Sequence, residues 1–544
     1  MCFLRTTAPS TSEMRLVSAL TQPLSFPLRL RRFLATGRGL DRVAPDLRDA
    51  LATREARFLS LLASHLTTGH PSPYAALLTH AGCELEDVRQ LLGNEGLEGT
   101  LRRLADDGVY LTAAELKGKD DVQRGSLRFR VNPDQIRLSR VGFESRSSGT
   151  SNQPQRSTSS FGWMAQQTPA AGAFVLAHGL EAHRHAAFEP ILPGAAGMMY
   201  MLMLARLGIP CERWFARAMP FPNALERSYF TILGTELSLI GTMFGPGFAR
   251  PETIHEHEID RIVRWIAECR AKGQKSCVRT VASNAARIAR TATTLGISLE
   301  GVTFLASGEP MTDAKRRVID ATGARTTVLY GFEPGTVWVG QGCARPLHAD
   351  EMHVSLNTLA LVPSPRVVEQ GDGAVHPLLY TTLHPSASRL LLNAESGDHA
   401  ELSERDCGCF MQRAGLTLHV HAVRSHEKFT SEGLSFPIGE LTDILESRLP
   451  TEFGGGPCDY QLIEEEGPRA QTRLTLRIHP QVGAVDEGRI LERLIAELGR
   501  SDRNHRFMTD VWRQARTFRV ERVPPRTSAR GKTPVVHLSI GRER

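Results

Sequence analysis

The sequence predicts a large α/β domain of several subdomains, with a helical segment before it and a small α+β domain after it. Three observations carry that expectation. At 544 residues the chain exceeds what one ordinary hydrophobic core serves, so two or three domains are expected. Residues 284–331 read helix, strand, helix, strand in NAARIARTATTLG, VTFLASG, TDAKRRVIDATG and TTVLYG, which is a βαβ crossover and hence a parallel sheet. Beyond residue 423 helix and strand signals restart in SFPIGELTDILESRL, DYQLIEEE, TRLTLRIHP and EGRILERLIAELG.

In chain order, residues 1–42 carry Arg29, Arg31, Arg32, Arg38 and Arg42 without the uninterrupted apolar core of a secretory signal, so a flexible basic arm is expected. Residues 43–119 are expected to be helical. Apolar positions recur at three and four in LRDALATREARFLSLLASHL and DVRQLLGNEGLEGTLRRLADDGV, with Pro71 and Pro73 breaking the pattern between them. Residues 120–423 form the large domain, and 424–544 the small one, whose tail from 519 is basic and proline-bearing.

Composition limits the function classes. The chain is 41% hydrophobic and 23% charged, which fits a soluble globular protein and excludes long disorder. No run reaches the ~18 apolar residues of a membrane span. MMYMLMLARLGI (198–209) is too short and reads as a buried helix. A net charge of +6 is mild for this length; it attracts nucleotides without marking a nucleic-acid binder. Nine cysteines form no regular framework of pairs, so a reducing compartment, the cytoplasm, is expected, where clustered cysteines point to metal.

Several motifs carry chemistry. After a strand-like run, IRLSRVGFE, comes SSGTSNQPQRST (147–158). Its backbone N–H and hydroxyl groups suit phosphate oxygens, and its glycine allows close approach; the composition also fits a solvated linker. Ser307-Gly308-Glu309-Pro310 and Tyr330-Gly331-Phe332-Glu333 fall at the carboxyl ends of the two crossover strands, where ligands gather in such sheets. Gly397-Asp398 lies between LLNAES and HAEL, Arg424 follows the helix-breaking Ala414-Gly415, and RTSARGK ends at Lys532.

In this order the motifs resemble the adenylate-forming (AMP-binding) superfamily, in its phenylacetate–CoA ligase-like and acyl-protein synthetase-like branch, over roughly residues 80–540. The segment GLEGTLRRLADDGVYLTAAELKG is similar to the one that precedes that branch's catalytic domain. The resemblance implies roles. Ser147, Ser148, Gly149, Thr150 and Ser151 would cradle the phosphates of ATP, and Gly308, Glu309 and Pro310 would meet the adenine. Tyr330 and Gly331 belong to the tyrosine–glycine motif whose glutamate, Glu333 here, would bind Mg²⁺. Asp398 would accept the ribose hydroxyls and Arg424 would mark the hinge. Lys532 would bridge the substrate carboxylate and the α-phosphate. The physics agrees: adenylation must gather and neutralise negative charge, and each charge-assisted hydrogen bond is worth about 1.5–3 kcal/mol.

The sequence also departs from the family pattern. Asn152 and Gln153 replace the loop's usual glycine and lysine, which removes a cation near the leaving pyrophosphate. Pro334 stands where the glutamate normally lies, so Glu333 is one position early. Asn393-Ala394 replaces the arginine or aromatic residue often found upstream of the Gly-Asp pair.

A second constellation is independent of the first. Cys343 and His348 are followed by Cys407 and Cys409, and three thiolates with an imidazole suit a closed, structural tetrahedral Zn²⁺ site better than buried small residues. His178, His183 and His185 share no clean helical face, and a surface or pocket-lining role is expected for them. Region 211–250 is expected to shape an acyl pocket.

The expected function is therefore an ATP-dependent ligase that activates an aryl or fatty carboxylic acid as its adenylate and passes the acyl group to a thiol, first of all coenzyme A. The alternatives are transfer to a protein or carrier-protein thiol, with Cys458 as a possible acyl relay, and a degenerate nucleotide-binding scaffold supported by Asn152, Gln153 and Pro334.

Overall fold

Strands Ser276–Val281 and Val302–Ser307 are buried at every position; Val302–Ser307 accordingly appears in the sequence as an unbroken small and apolar run rather than an alternating one, and Ser276–Val281 does so except at the buried Arg279. They lie side by side in the interior of a twelve-stranded sheet. In chain order its strands are β1 Arg184–Phe188, β2 Cys211–Ala216, β3 Pro251–Thr253, β4 Ser276–Val281, β5 Val302–Ser307, β6 Arg325–Phe332, β7 Val337–Gly342, β8 Met352–Val354, β9 Leu359–Pro363, β10 Pro377–Thr382, β11 Ala394–Glu404 and β12 Leu418–Ser425. Across the sheet they run β9-β10-β11-β12-β8-β7-β6-β5-β4-β1-β2-β3. The computed structural model describes residues 26–67, 72–138, 143–146, 156–190, 196–217, 224–332, 337–370, 373–426, 428–431, 434–466, 472–500, 512–513, 517–528 and 530–539.

The strands from β3 to β6 are parallel, in the order 3-2-1-4-5-6. This is the doubly wound arrangement, whose order reverses between β1 and β4 and opens a crevice at the carboxyl ends there. The crossover expected from the sequence is present: helix Ala282–Thr294 follows β4, and helix Asp313–Asp320 joins β5 to β6. From β7 onward each pairing is antiparallel, which folds the sheet's other half back beside Tyr330. The Met-rich run forms the buried helix Ala196–Arg206. Among the described residues no helix is long and apolar enough to cross a membrane.

Helices Val43–Ala52, Arg54–Thr67, Pro73–His80 and Leu85–Asp106 pack into the same core as the sheet. The last is broken at Gly96 (φ 67°), where Glu55 accepts the freed Leu97 N–H at 3.1 Å. The expected flexible arm needs correction from residue 26 onward. Residues 26–35 are helical, with Phe26, Leu30, Phe33 and Leu34 buried. Four apolar residues at helical spacing outweigh the arginines between them, and Arg206 clamps the helix end by donating to the Phe33 carbonyl and stacking on its ring.

A separate core starts at Leu441 and includes Leu445, Tyr460, Leu462, Leu476, Ile490 and Leu494. Its sheet has strands β13 Tyr460–Glu466, β14 Thr472–Ile478, β15 Phe518–Glu521 and β16 Val536–Ser539, in the order β15-β14-β13-β16. Helix Glu487–Leu498 turns Ile490, Leu494 and Leu498 onto this core. A second helical stretch, Ile438–Phe453, contains a π-helical turn at Ile444–Arg448.

Candidate nucleotide and acyl-transfer site

Carboxyl ends of the parallel strands supply the first residues. Glu189 follows β1, helix Ala282–Thr294 opens directly after β4, and Gly308-Glu309-Pro310 follows β5. Gly308 adopts φ +82°, a conformation that disfavours any Cβ. Gly308 and Pro310 are exposed at the turn. Glu309 turns the other way. Its carboxylate accepts the Ser283 N–H at 2.7 Å and the Ser283 hydroxyl at 2.8 Å, capping the N-terminus of helix Ala282–Thr294. Of this motif, the turn's backbone faces the crevice and the glutamate side chain is structural.

Tyr330, near the end of β6, meets Asp398 of β11. The phenol donates to Asp398 Oδ2 at 2.5 Å and lies 2.7 Å from the Tyr380 hydroxyl, while Ser396 Oγ donates to the same carboxylate oxygen at 3.0 Å. Burial first, and the neighbouring Tyr380 and Asp398 next, push the Tyr330 phenol well above its ordinary range, so it stays a donor. The structure thus brings Tyr330 and Asp398 together and fixes the carboxylate's orientation. Gly331 is exposed beside them.

Arg424 is in β12, opposite His399 and one residue before Ser425, which pairs with Asp398. Its guanidinium holds Asp350 at 3.0 Å. The arginine therefore sits where the sheet ends and the chain leaves for the small domain.

The tail of the small domain reaches back into the crevice. Gln461, fully buried on β13, staples both ends of the tail loop: its amide donates to the carbonyls of Arg526 at 2.9 Å and Pro534 at 2.8 Å, and its oxygen accepts the Arg526 N–H at 2.7 Å. Inside the loop, Arg530 forms a bidentate ion pair with the buried Glu189 at 3.1–3.2 Å. Asn284 and Arg287 of the large domain hold the carbonyls of Arg530 and Gly531 at 3.3 and 2.8 Å. These anchors place the Lys532 side chain on Gly308: a Cβ there would stand 3.0 Å from Lys532 Cε and 3.4 Å from Nζ. Sequence reasoning identified Lys532 and missed its supports. Arg530 lay in the same motif, two residues upstream, but Glu189, Gln461 and Asn284 carry no signal without the fold.

Ser147, Ser148, Gly149, Thr150 and Ser151, together with Asn152 and Gln153, lie outside the described residues; strands Phe143–Arg146 and Arg156–Ser159 pair antiparallel on either side of them. Glu333 and Pro334 also lie outside, between β6 and β7. Of the expected acyl-pocket region, 218–223 is outside as well.

The cysteine cluster forms, with His353 and His419 beside it in place of His348. Cys343 follows β7, His353 is in β8, and Cys407 and Cys409 precede helix Phe410–Arg413. His353 Nε2 is 3.2 Å from Cys409 Sγ and 3.6 Å from Cys407 Sγ. Ligand atoms of Cys343, His353, Cys407 and His419 all lie within 4.8 Å of one another. His353 Nδ1 donates to the Leu416 carbonyl at 2.7 Å, so its Nε2 lone pair faces the thiols, the arrangement metal-binding histidines adopt. His348 corrects the expectation. It stands on the exposed turn before β8 and stacks on His421 at 3.9 Å instead. His348 is the histidine nearest Cys343 in the sequence, but strand β8 carries the next one, His353, inward.

The remaining candidates are structural. His185 is fully buried in β1, accepting from the Tyr200 hydroxyl at 2.7 Å and donating to the Leu180 carbonyl at 2.8 Å. Burial lowers its pKa to about 4. His178 donates to the Gly342 carbonyl at 2.8 Å. The surface or pocket-lining role expected of this segment therefore does not hold for His185. Cys458 is buried near Lys315, and burial pushes its thiol up, which disfavours an acyl relay.

No family model matches the chain, and no curated protein matches its sequence. Among solved structures it is similar to 2-hydroxyisobutyryl-CoA ligase in the postadenylation state with 2-HIB-AMP, with a TM-score of 0.53 and 15% identity over 90% of this chain and 89% of that one. The same enzyme with R3-HIB-AMP gives a TM-score of 0.50 and 14% identity over the same shares. The chain has the adenylate-forming ligase fold.

Proposed function

We propose that this protein is an ATP-dependent ligase that joins a carboxylic acid to the α-phosphate of ATP and passes the acyl group to a thiol, coenzyme A before a carrier protein. The observation that carries this reading is the seating of Lys532 on Gly308, at the carboxyl end of β5, by anchors from both domains. A lysine in a basic tail is ordinarily solvated; this one is held at the turn where a doubly wound sheet receives its ligand.

The residues present fit a nucleotide. Gly308 has no Cβ to displace Lys532, Tyr330 and Ser396 orient Asp398 to accept hydroxyls, and Lys532 supplies a positive charge at the turn. ATP supplies the activating phosphate and the leaving pyrophosphate. Residues 147–151 are assigned to its outer phosphates and Glu333 to Mg²⁺ on the resemblance. Arg424 marks the hinge about which the small domain turns between the two half-reactions. Zn²⁺ is assigned to Cys343, Cys407, Cys409 and His353, as a structural ion that ties β7 and β8 to the segment before β12. The described cysteines are all unpaired, which supports a reducing compartment such as the cytoplasm.

The test is pyrophosphate release from ATP across a panel of aryl and fatty acids, with and without coenzyme A. Acid-dependent release, followed by thioester formation with coenzyme A, supports the ligase. Release with transfer only to a carrier-protein thiol selects the acyl-protein alternative. ATP binding without release from any acid points to the scaffold reading that Asn152, Gln153 and Pro334 favour.

A further inference from the structure

Glu446 stands in the π-helical turn Ile444–Arg448 of the small domain, and both its carboxylate oxygens are committed to the large one. Oε1 is 2.7 Å from Lys315 Nζ, and Oε2 accepts the Thr312 hydroxyl at 2.6 Å. The side chains of Lys315 and Glu446 are each only 3% exposed. A π-turn is a costly local departure from the helix and is commonly retained where it presents a functional side chain. Here it aims a carboxylate at the N-terminus of helix Asp313–Asp320, whose cap is Thr312.

Lys315 also faces Glu309 at 3.8 Å. Glu309 takes its two hydrogen bonds from Ser283, and Ser283 Oγ accepts the N–H of Thr533, the residue after Lys532, at 3.4 Å. The polar contacts therefore run Glu446, Lys315, Glu309, Ser283, Thr533. They leave the small domain through its helix, pass under the Gly308–Pro310 turn, and return to the small domain beside Lys532.

We infer that the buried Glu446–Lys315 pair is an interdomain latch, a positioning pair that holds the small domain in the orientation that seats Lys532 on Gly308. Its consequence for turnover rests on the ligase reading; its consequence for domain docking does not. A buried ion pair adds little net stability, but removing Glu446 leaves the buried Lys315 with only the more distant Glu309, at 3.8 Å, to offset its charge inside the interface. Water completes the solvation of that under-compensated charge only when the interface opens. Loss of the glutamate charge therefore shifts the protein toward other orientations without altering Lys532 itself.

The experiment is amide hydrogen exchange on the full-length protein carrying Glu446→Gln, read at Ser283, Gly531 and Thr533, whose N–H groups bond across or within this contact. The expected result is exchange about tenfold faster or more at these amides, with β4 and β5 amides unchanged. Unchanged protection at Ser283 and Thr533 overturns the latch. Should Glu446→Gln loosen the small domain's own core amides, Thr312→Val removes one of the two contacts from the large-domain side and is read at the same positions. ATP–pyrophosphate exchange adds the functional arm: Glu446→Gln should lower it about tenfold, while acyl transfer from supplied acyl-adenylate stays within about twofold. Equal loss in both half-reactions overturns the positioning role. A wild type that exchanges no pyrophosphate with any acid removes the ligase reading, and the amide exchange then decides the latch alone.

Discussion

Lys532 and Gly308 come from different domains and touch: a Cβ on Gly308 would lie 3.0 Å from the lysine Cε. The glycine has φ +82°, so the turn combines a backbone that excludes side chains with a cation resting on it. Gly308→Ala should therefore act twice, straining the turn by roughly 1–2 kcal/mol and pushing the lysine away. ATP–pyrophosphate exchange is expected to fall about tenfold or more, with the thermal midpoint lowered by only a few degrees. Full activity in the variant would show that the lysine does not work from this seat.

The cysteine cluster makes a prediction about metal content. Mass spectrometry under native conditions, or elemental analysis of the purified chain, should find one zinc, and a chelator should remove it and lower the thermal midpoint. His353→Ala should abolish binding while His348→Ala leaves it intact, because His353 Nε2 faces the thiols and His348 stacks on His421 outside the cluster. A metal-free protein of undiminished stability would contradict the site.

Acid sensitivity should trace in part to His185. Its pKa falls from 6.5 to about 4 on burial, so the unfolded chain binds the proton that the folded one rejects. Its contribution is complete above about pH 6.5 and is lost as pH falls toward about 4, amounting to about 3 kcal/mol over that window. Urea melts at pH 7, 5 and 4 should show this slope, and His185→Gln should flatten it. A wild-type slope unchanged in the variant would assign the acid loss elsewhere.

The parts of the fold legible in the sequence are those in which local pattern and final environment coincide. Val302–Ser307 is buried on both faces and reads as an unbroken run; helix Asp313–Asp320 opens on Thr312, whose hydroxyl accepts the Lys315 N–H. Gly308 and Tyr330 are legible because they fall at the ends of such strands, Asp398 and Lys532 through the resemblance of their motifs; in the fold they meet as two pairs, Tyr330 with Asp398 and Gly308 with Lys532. What stayed hidden depends on tertiary partners. Glu309 resembles a ligand contact in the sequence, yet Ser283, 26 residues upstream, claims its carboxylate. Glu189 is one buried acid among many until Arg530, 341 residues later, docks on it. The helix at 26–35 was masked by its arginines, and His353 by the nearer His348.

The most direct measurement is ATP–pyrophosphate exchange by Lys532→Ala with an acid that the wild type activates. Loss of a positioned cation at the developing charge should cost about 10²–10³-fold in exchange, while transfer to the thiol from supplied acyl-adenylate is retained. Exchange at the wild-type rate would contradict the assignment of Lys532, and with it the functional reading of the contact on Gly308.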